Sequence, residues 1–263
     1  MPAVSASGRS SASRPPHRIR VVLAALLVIA LAVWGFNLLQ EYRGVSSART
    51  YWSTAQGQPG GLLYVALGDS TAQGVGASRP DRGYVGLLAD HLRRQTGRPV
   101  LVVNLSSSGA KVADVLADQV PRLRGLRPDL VTVAVGANDV RSFSAKAFAA
   151  QVDRLAAVLP PGTFIADVPW FMHGRWDRDA DWASVALTRS STAHGLTVVP
   201  LRRILKARGW TAMATDFAPD WFHPNDRGYR VWSDAFWSTI SGNQGSGTFG
   251  PVPGAGSQRQ SSP

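Results

Sequence analysis

The sequence has no cysteine among its 263 residues. That absence excludes disulfide frameworks, thiolate nucleophiles, cysteine-ligated zinc and a cysteine-linked lipid anchor. It leaves the compartment open, because a cysteine-free domain folds on either side of a membrane. Acidic residues are scarce, 17 against 28 Lys and Arg, giving a formal charge of +11. The excess is not gathered as a nucleic acid would require. Arg9, Arg14, Arg18 and Arg20 precede the first apolar run, and residues 50–240 carry only +5. Within that stretch Arg93-Arg94 and Arg202-Arg203 are isolated pairs, and no basic run is interleaved with aromatics. The charge therefore reads as a solvated, mildly basic surface, with no nucleic-acid partner. No His/Asp/Glu cluster has metal-ligand spacing, so neither a metal nor a cofactor is expected. Internal repeats are also lacking.

One long hydrophobic run is present. Residues 21–39 carry no charge and are mostly Val, Leu, Ala and Ile, with Asn37 and Trp34 near the far end. A helix crossing the hydrocarbon layer needs about 20 such residues. Four arginines lie before the run, whereas Glu41 and Arg43 cancel behind it, so the positive-inside bias holds the amino terminus in the cytoplasm. A cleavable signal peptide competes, with Ala30-Leu31-Ala32 as its small-residue site; the apolar run continues past that point, which favours an uncleaved anchor. Both readings export the remainder of the chain. The expected divisions are a disordered cytoplasmic segment at 1–18, a transmembrane anchor or signal peptide at 19–40, a linker at 41–60, a folded domain at 61–240 and a disordered tail at 241–263.

Inside the domain, apolar strand-like runs at residues 62–67, 100–105, 130–135, 163–167 and 197–200 alternate with helical patterns. The helices are expected near 83–96, 110–124, 144–159, 180–194 and 225–240. Such alternation predicts right-handed βαβ units: an α/β, flavodoxin-like three-layer α/β/α sandwich with a five-stranded parallel sheet. Ligands bind such sheets beyond the carboxyl ends of the strands.

The residues just after each strand are therefore informative. Gly68-Asp69-Ser70-Thr71 comes after the first, and Asn104-Leu105-Ser106-Ser107-Ser108-Gly109 closes the second. Gly136-Ala137-Asn138-Asp139 comes after the third, and Asp220-Trp221-Phe222-His223-Pro224 precedes the last helix. A serine hydroxyl is a poor nucleophile and needs a base in hydrogen-bond reach, for which His223 is the candidate. A carboxylate must hold the other ring nitrogen, and Asp220 lies three residues earlier. Singly, each block also has an ordinary structural reading as a helix cap, an Asx turn or a loop end. Taken in order over residues 62–240, the four blocks resemble those of the SGNH hydrolases, the GDSL esterase and lipase family. The resemblance implies a serine ester hydrolase with Ser70, His223 and Asp220 as its triad. It further implies an oxyanion hole made by the backbone N–H groups of Ser70 and Gly109 and the Asn138 side-chain amide. Asp69 and Asp139 are assigned supporting structural roles.

Aromatic residues crowd the later part of the chain, and Trp170, His173 and Trp221 are candidates to line the substrate site. Apolar walls suit an acyl chain and flat indoles suit a sugar face, so the expected substrate is a lipid ester or an O-acylated envelope glycan. Two other classes stay open: an acyltransferase using the same serine, and a non-catalytic envelope-binding module.

Overall fold

The computed structural model describes residues 17–172 and 174–243; most of the expected tail and most of the amino-terminal segment lie outside the described residues. By its internal contacts the chain divides into a unit spanning residues 1–40 and a second spanning 41–263.

Helix α1 runs His17–Tyr51. In the first unit it is long and apolar enough to cross a membrane, and none of its most apolar stretch is buried by protein. A signal sequence has the same properties. Its last turns belong to the second unit, where Ala48 is fully buried and Trp52 donates its indole N–H to the Gln73 carbonyl at 3.0 Å. The linker expected at 41–60 is thus helical as far as Tyr51, and Gln56–Gly57 then forms strand β1. The polar composition of this stretch reflects one solvated face of a helix whose other face is packed.

The sheet order is β1-β3-β2-β4-β5-β6, with β2 at Leu62–Gly68, β3 at Val100–Asn104, β4 at Leu130–Ala134, β5 at Phe164–Ala166 and β6 at Thr197–Val199. All neighbours pair in parallel except β1, which adds a short antiparallel edge to β3. The five expected strands are all present, and the sixth is this two-residue edge. Alternation along β2 sends Tyr64 and Ala66 into one core and Val65 and Leu67 into the other, so both faces are covered. The first core is closed by the end of α1, α2 (Tyr84–Thr96), α7 (Leu201–Arg208) and α9 (Asp226–Gly242). The second is closed by the helical segment over residues 112–123, α5 (Ala145–Val158) and α6 (Gly174–Ala193).

The helix expected at 110–124 is three pieces, α3 (Val112–Asp114), a π-helical turn (Val115–Gln119) and α4 (Val120–Leu123). Pro121 explains the widening, since its ring cannot accept an ordinary helical turn against the Ala117 carbonyl. A further helix, α8 (Thr211–Asp216), lies between α7 and α9.

Candidate active site

Three loops at the carboxyl edge of the sheet and one loop before α9 meet at Ser70. β2 ends on Gly68, whose φ of 142° and whose closeness to the Ala134 carbonyl, 2.1 Å from where a Cβ would stand, admit only glycine. Gln119 grips the same residue at both backbone groups, accepting from its N–H at 2.9 Å and donating to its carbonyl at 2.8 Å. The π-helical turn aims this side chain inward at the strand end. Asp69 then accepts from the Thr71 N–H and hydroxyl at 2.9 and 2.7 Å, closing the turn that exposes the Ser70 hydroxyl to the site. Burial pushes the Asp69 carboxyl above its ordinary range, against the lowering effect of those Thr71 hydrogen bonds.

The loop before α9 is closed by the bridge between Phe217 and Pro224 and by the Ala218 N–H donating to the His223 carbonyl at 2.8 Å. Within it, one oxygen of Asp220 accepts the Phe222 and His223 backbone N–H groups, both at 2.9 Å. The other oxygen lies 2.6 Å from His223 Nδ1. Burial alone would raise the Asp220 pKa, but the His223 hydrogen bond and charge, with the two backbone donors, hold it below the usual range. The carboxylate is therefore ionised, and Nδ1 carries the proton that faces it. Nε2 is left as acceptor, 2.8 Å from Ser70 Oγ. His223 is 3% exposed and Ser70 5%, so water competes little for this contact. Gly76, with φ of 94°, passes so close that a Cβ there would stand 2.7 Å from that of His223.

Gly109 and Asn138 face the same space as Ser70 and His223. Asn138 donates one amide hydrogen to the Ala110 carbonyl at 3.1 Å, which orients the amide and leaves its second hydrogen available. Among the described residues, the backbone N–H groups of Ser70 and Gly109 have no protein acceptor. Asp139 accepts the Val112 N–H at 3.2 Å, tying the third loop to α3, and burial pushes its carboxyl up to about 6. Trp170 and Trp221 line an adjoining cavity; His173 lies outside the described residues.

Several residues that sequence reasoning missed hold these loops in place. Gln73 donates to the Ser106 carbonyl and accepts from the Ser108 N–H and hydroxyl, fastening the second loop beside the first. Asn104 donates to the Ala72 carbonyl at 2.8 Å. Gln73 and Gln119 carry no signal of their own, being amides within helical or turn-like stretches. Asn104 ends an apolar strand, and a polar residue there is a weak hint.

This arrangement can take a proton from a serine hydroxyl, hold the resulting imidazolium against a carboxylate, and offer donors to an oxygen that gains negative charge. A sheet of this topology carrying such a constellation at its carboxyl edge defines a class, the α/β ester hydrolases. Residues 66–231 match the model of the GDSL-like lipase/acylhydrolase family, and the chain belongs to that family. It is a carboxylic ester hydrolase. No curated protein matches it in sequence. Among solved structures it is similar to an α/β hydrolase enzyme from the metagenome of Lake Arreo, Spain, at 24% identity, 68% of this chain, 95% of that one and a TM-score of 0.58. It is also similar to an acetylxylan esterase from Geobacillus stearothermophilus, at 22% identity, 68% and 94% coverage and a TM-score of 0.52. A lipase/acylhydrolase from Enterococcus faecalis matches at 18% identity, 69% and 96% coverage and a TM-score of 0.55. At these identities the likeness is one of fold.

Proposed function

We propose that the chain hydrolyses an ester through an acyl-enzyme on Ser70, with His223 as base and then acid and Asp220 as its partner. The observation that carries this reading is the unbroken line from Ser70 Oγ through the His223 ring to Asp220, with contacts of 2.8 and 2.6 Å. Ser70 Oγ attacks the carbonyl carbon as its proton passes to Nε2. The tetrahedral oxyanion takes hydrogen bonds from the Ser70 and Gly109 N–H groups and from Asn138. Collapse expels the alcohol, which leaves with the proton from Nε2, and water repeats the sequence to free the acid.

The apolar part of α1 anchors the chain in the cytoplasmic membrane, with the hydrolase unit outside. The substrate is accordingly a lipid ester or an O-acylated glycan of the envelope. Trp170 and Trp221 contribute to its binding. Ser70→Ala should lower p-nitrophenyl butyrate hydrolysis by at least about 10³-fold with an unchanged circular dichroism spectrum. Undiminished turnover in that variant would remove Ser70 from the mechanism.

A further inference from the structure

Two cavities meet at Ser70, and they differ in chemistry. One, of about 340 Å³, is walled by Ser108, Gly109, Arg141, Asp220 and His223, with Glu41 and Val45 of α1 at its edge; Asn138, Trp176 and Phe222 border both cavities. The other, of about 160 Å³, is walled by Trp170, Phe171 and Met172 after β5, by Leu205, Ala212, Met213 and Phe217 around α7 and α8, and by Trp232 of α9. Its one charged wall residue away from the catalytic loops is Asp216, and that carboxylate is paired with Arg208 at 2.5 Å and Arg227 at 3.2 Å. These aliphatic and aromatic walls offer the hydroxyls of a sugar little to bond.

The position of His223 decides which cavity takes which half of the ester. The alcohol oxygen must receive the proton from Nε2 as its bond to the carbonyl carbon breaks. His223 lines the polar cavity and not the aromatic one. The alcohol therefore leaves through the polar side, and the acyl group points the other way. An acetyl group would leave the aromatic cavity almost wholly unfilled, since a space of one water takes only about 10–15 Å³ by the same measure.

Resting on the hydrolase reading above, we infer that the aromatic cavity is an acyl-chain pocket and that the natural ester carries a chain of several methylenes rather than acetyl. The chain lies between the Trp170–Met172 segment and α8, and its bond to Ser70 Oγ in the acyl-enzyme keeps it there until water attacks. Each methylene buried there raises kcat/KM about fourfold.

The test uses the full chain in phospholipid nanodiscs and p-nitrophenyl esters from acetate to octanoate. Wild type is compared with Ala212→Phe and Met213→Trp, which fill the pocket from two different residues. Rates of covalent inactivation by methyl and octyl p-nitrophenyl phosphonates give a second readout that needs no turnover. The expected result is a rise in kcat/KM of at least about tenfold from acetate to octanoate, with the octanoate-to-acetate ratio collapsing in the variants and octyl phosphonate losing its advantage. An acetate preference in wild type, or a ratio untouched by both fillings, overturns the acyl pocket and leaves the hydrolase standing. Absence of any Ser70-dependent hydrolysis or phosphonate labelling overturns the hydrolase reading and the pocket with it.

Discussion

At the scale of single residues, the site depends as much on amides as on the three groups of the proposed triad. Gln119 pairs both backbone groups of Gly68, and it is 2% exposed. Gln119→Leu keeps the volume but leaves the buried Gly68 N–H without a partner, while the Gly68 carbonyl keeps the Ser107 N–H at 3.1 Å; one such orphan costs about 1–3 kcal/mol. The variant should therefore lose about 1–3 kcal/mol of stability, read from its urea midpoint, and its kcat should fall because the Ser70 turn is no longer fixed. Trp221 is the opposite case. Its φ of 55° places a bulky residue in the left-handed region, at the tip of the loop whose two ends are pinned around Asp220 and His223. Conformations of this kind typically cost about 1–3 kcal/mol and persist only where neighbours over-determine them.

Among elements, the parallel strands and most helices were legible because apolar runs and helical periodicity survive in any sequence that must cover both sheet faces. The expected strand at 62–67 and the observed Leu62–Gly68 differ by one residue. The motif loops were legible for the same reason, as each adjoins a strand or the last helix. What periodicity could not show was the reach of α1, where a polar stretch has the composition of a linker while Ala48 and Trp52 are packed into the core. Nor could it show that α7 and α8 wall a cavity, because a short helix with a single apolar face reads alike whether that face meets protein or substrate. The Gln73 and Gln119 contacts span 33 or more residues, and long-range pairing of amides leaves no local pattern. The packed tail of α1 carries its own prediction. Trp52→Ala removes a buried indole and its hydrogen bond to Gln73, and should cost about 3–5 kcal/mol in chemical denaturation. A loss under about 1 kcal/mol would mean this tail contributes little to the fold.

The whole molecule should be more stable in mild acid than at neutral pH as far as its buried carboxylates decide. Burial pushes Asp167 up to about 6 from an ordinary 3.8, with the Arg202 and Leu201 N–H groups and the Arg202 charge only partly offsetting it, and Asp139 behaves alike. The folded chain then holds protons that the unfolded chain releases, so stability rises as pH falls from about 7 towards 4. Below that, the carboxylates held low, Asp216 and Asp220, reverse the trend as they protonate. Wild type compared with Asp167→Asn isolates the effect, and the urea midpoints should shift in favour of wild type by the equivalent of about 2 kcal/mol between pH 7 and 4.5. A difference independent of pH would show that Asp167 is ionised throughout.

The apolar length of α1 and the buried turn that ends it are one helix, and this has a consequence for shedding. A protease that freed the hydrolase by cutting near Gln40 would release a particle with its cavity edge at Glu41 and Val45 and its core at Ala48 all present. A cut only a dozen residues later would discard the helical turn that packs beneath Gln73. If α1 anchors the chain, a form released by cleavage keeps the chemistry of the anchored one only when the scissile bond falls within a very short window after the apolar run.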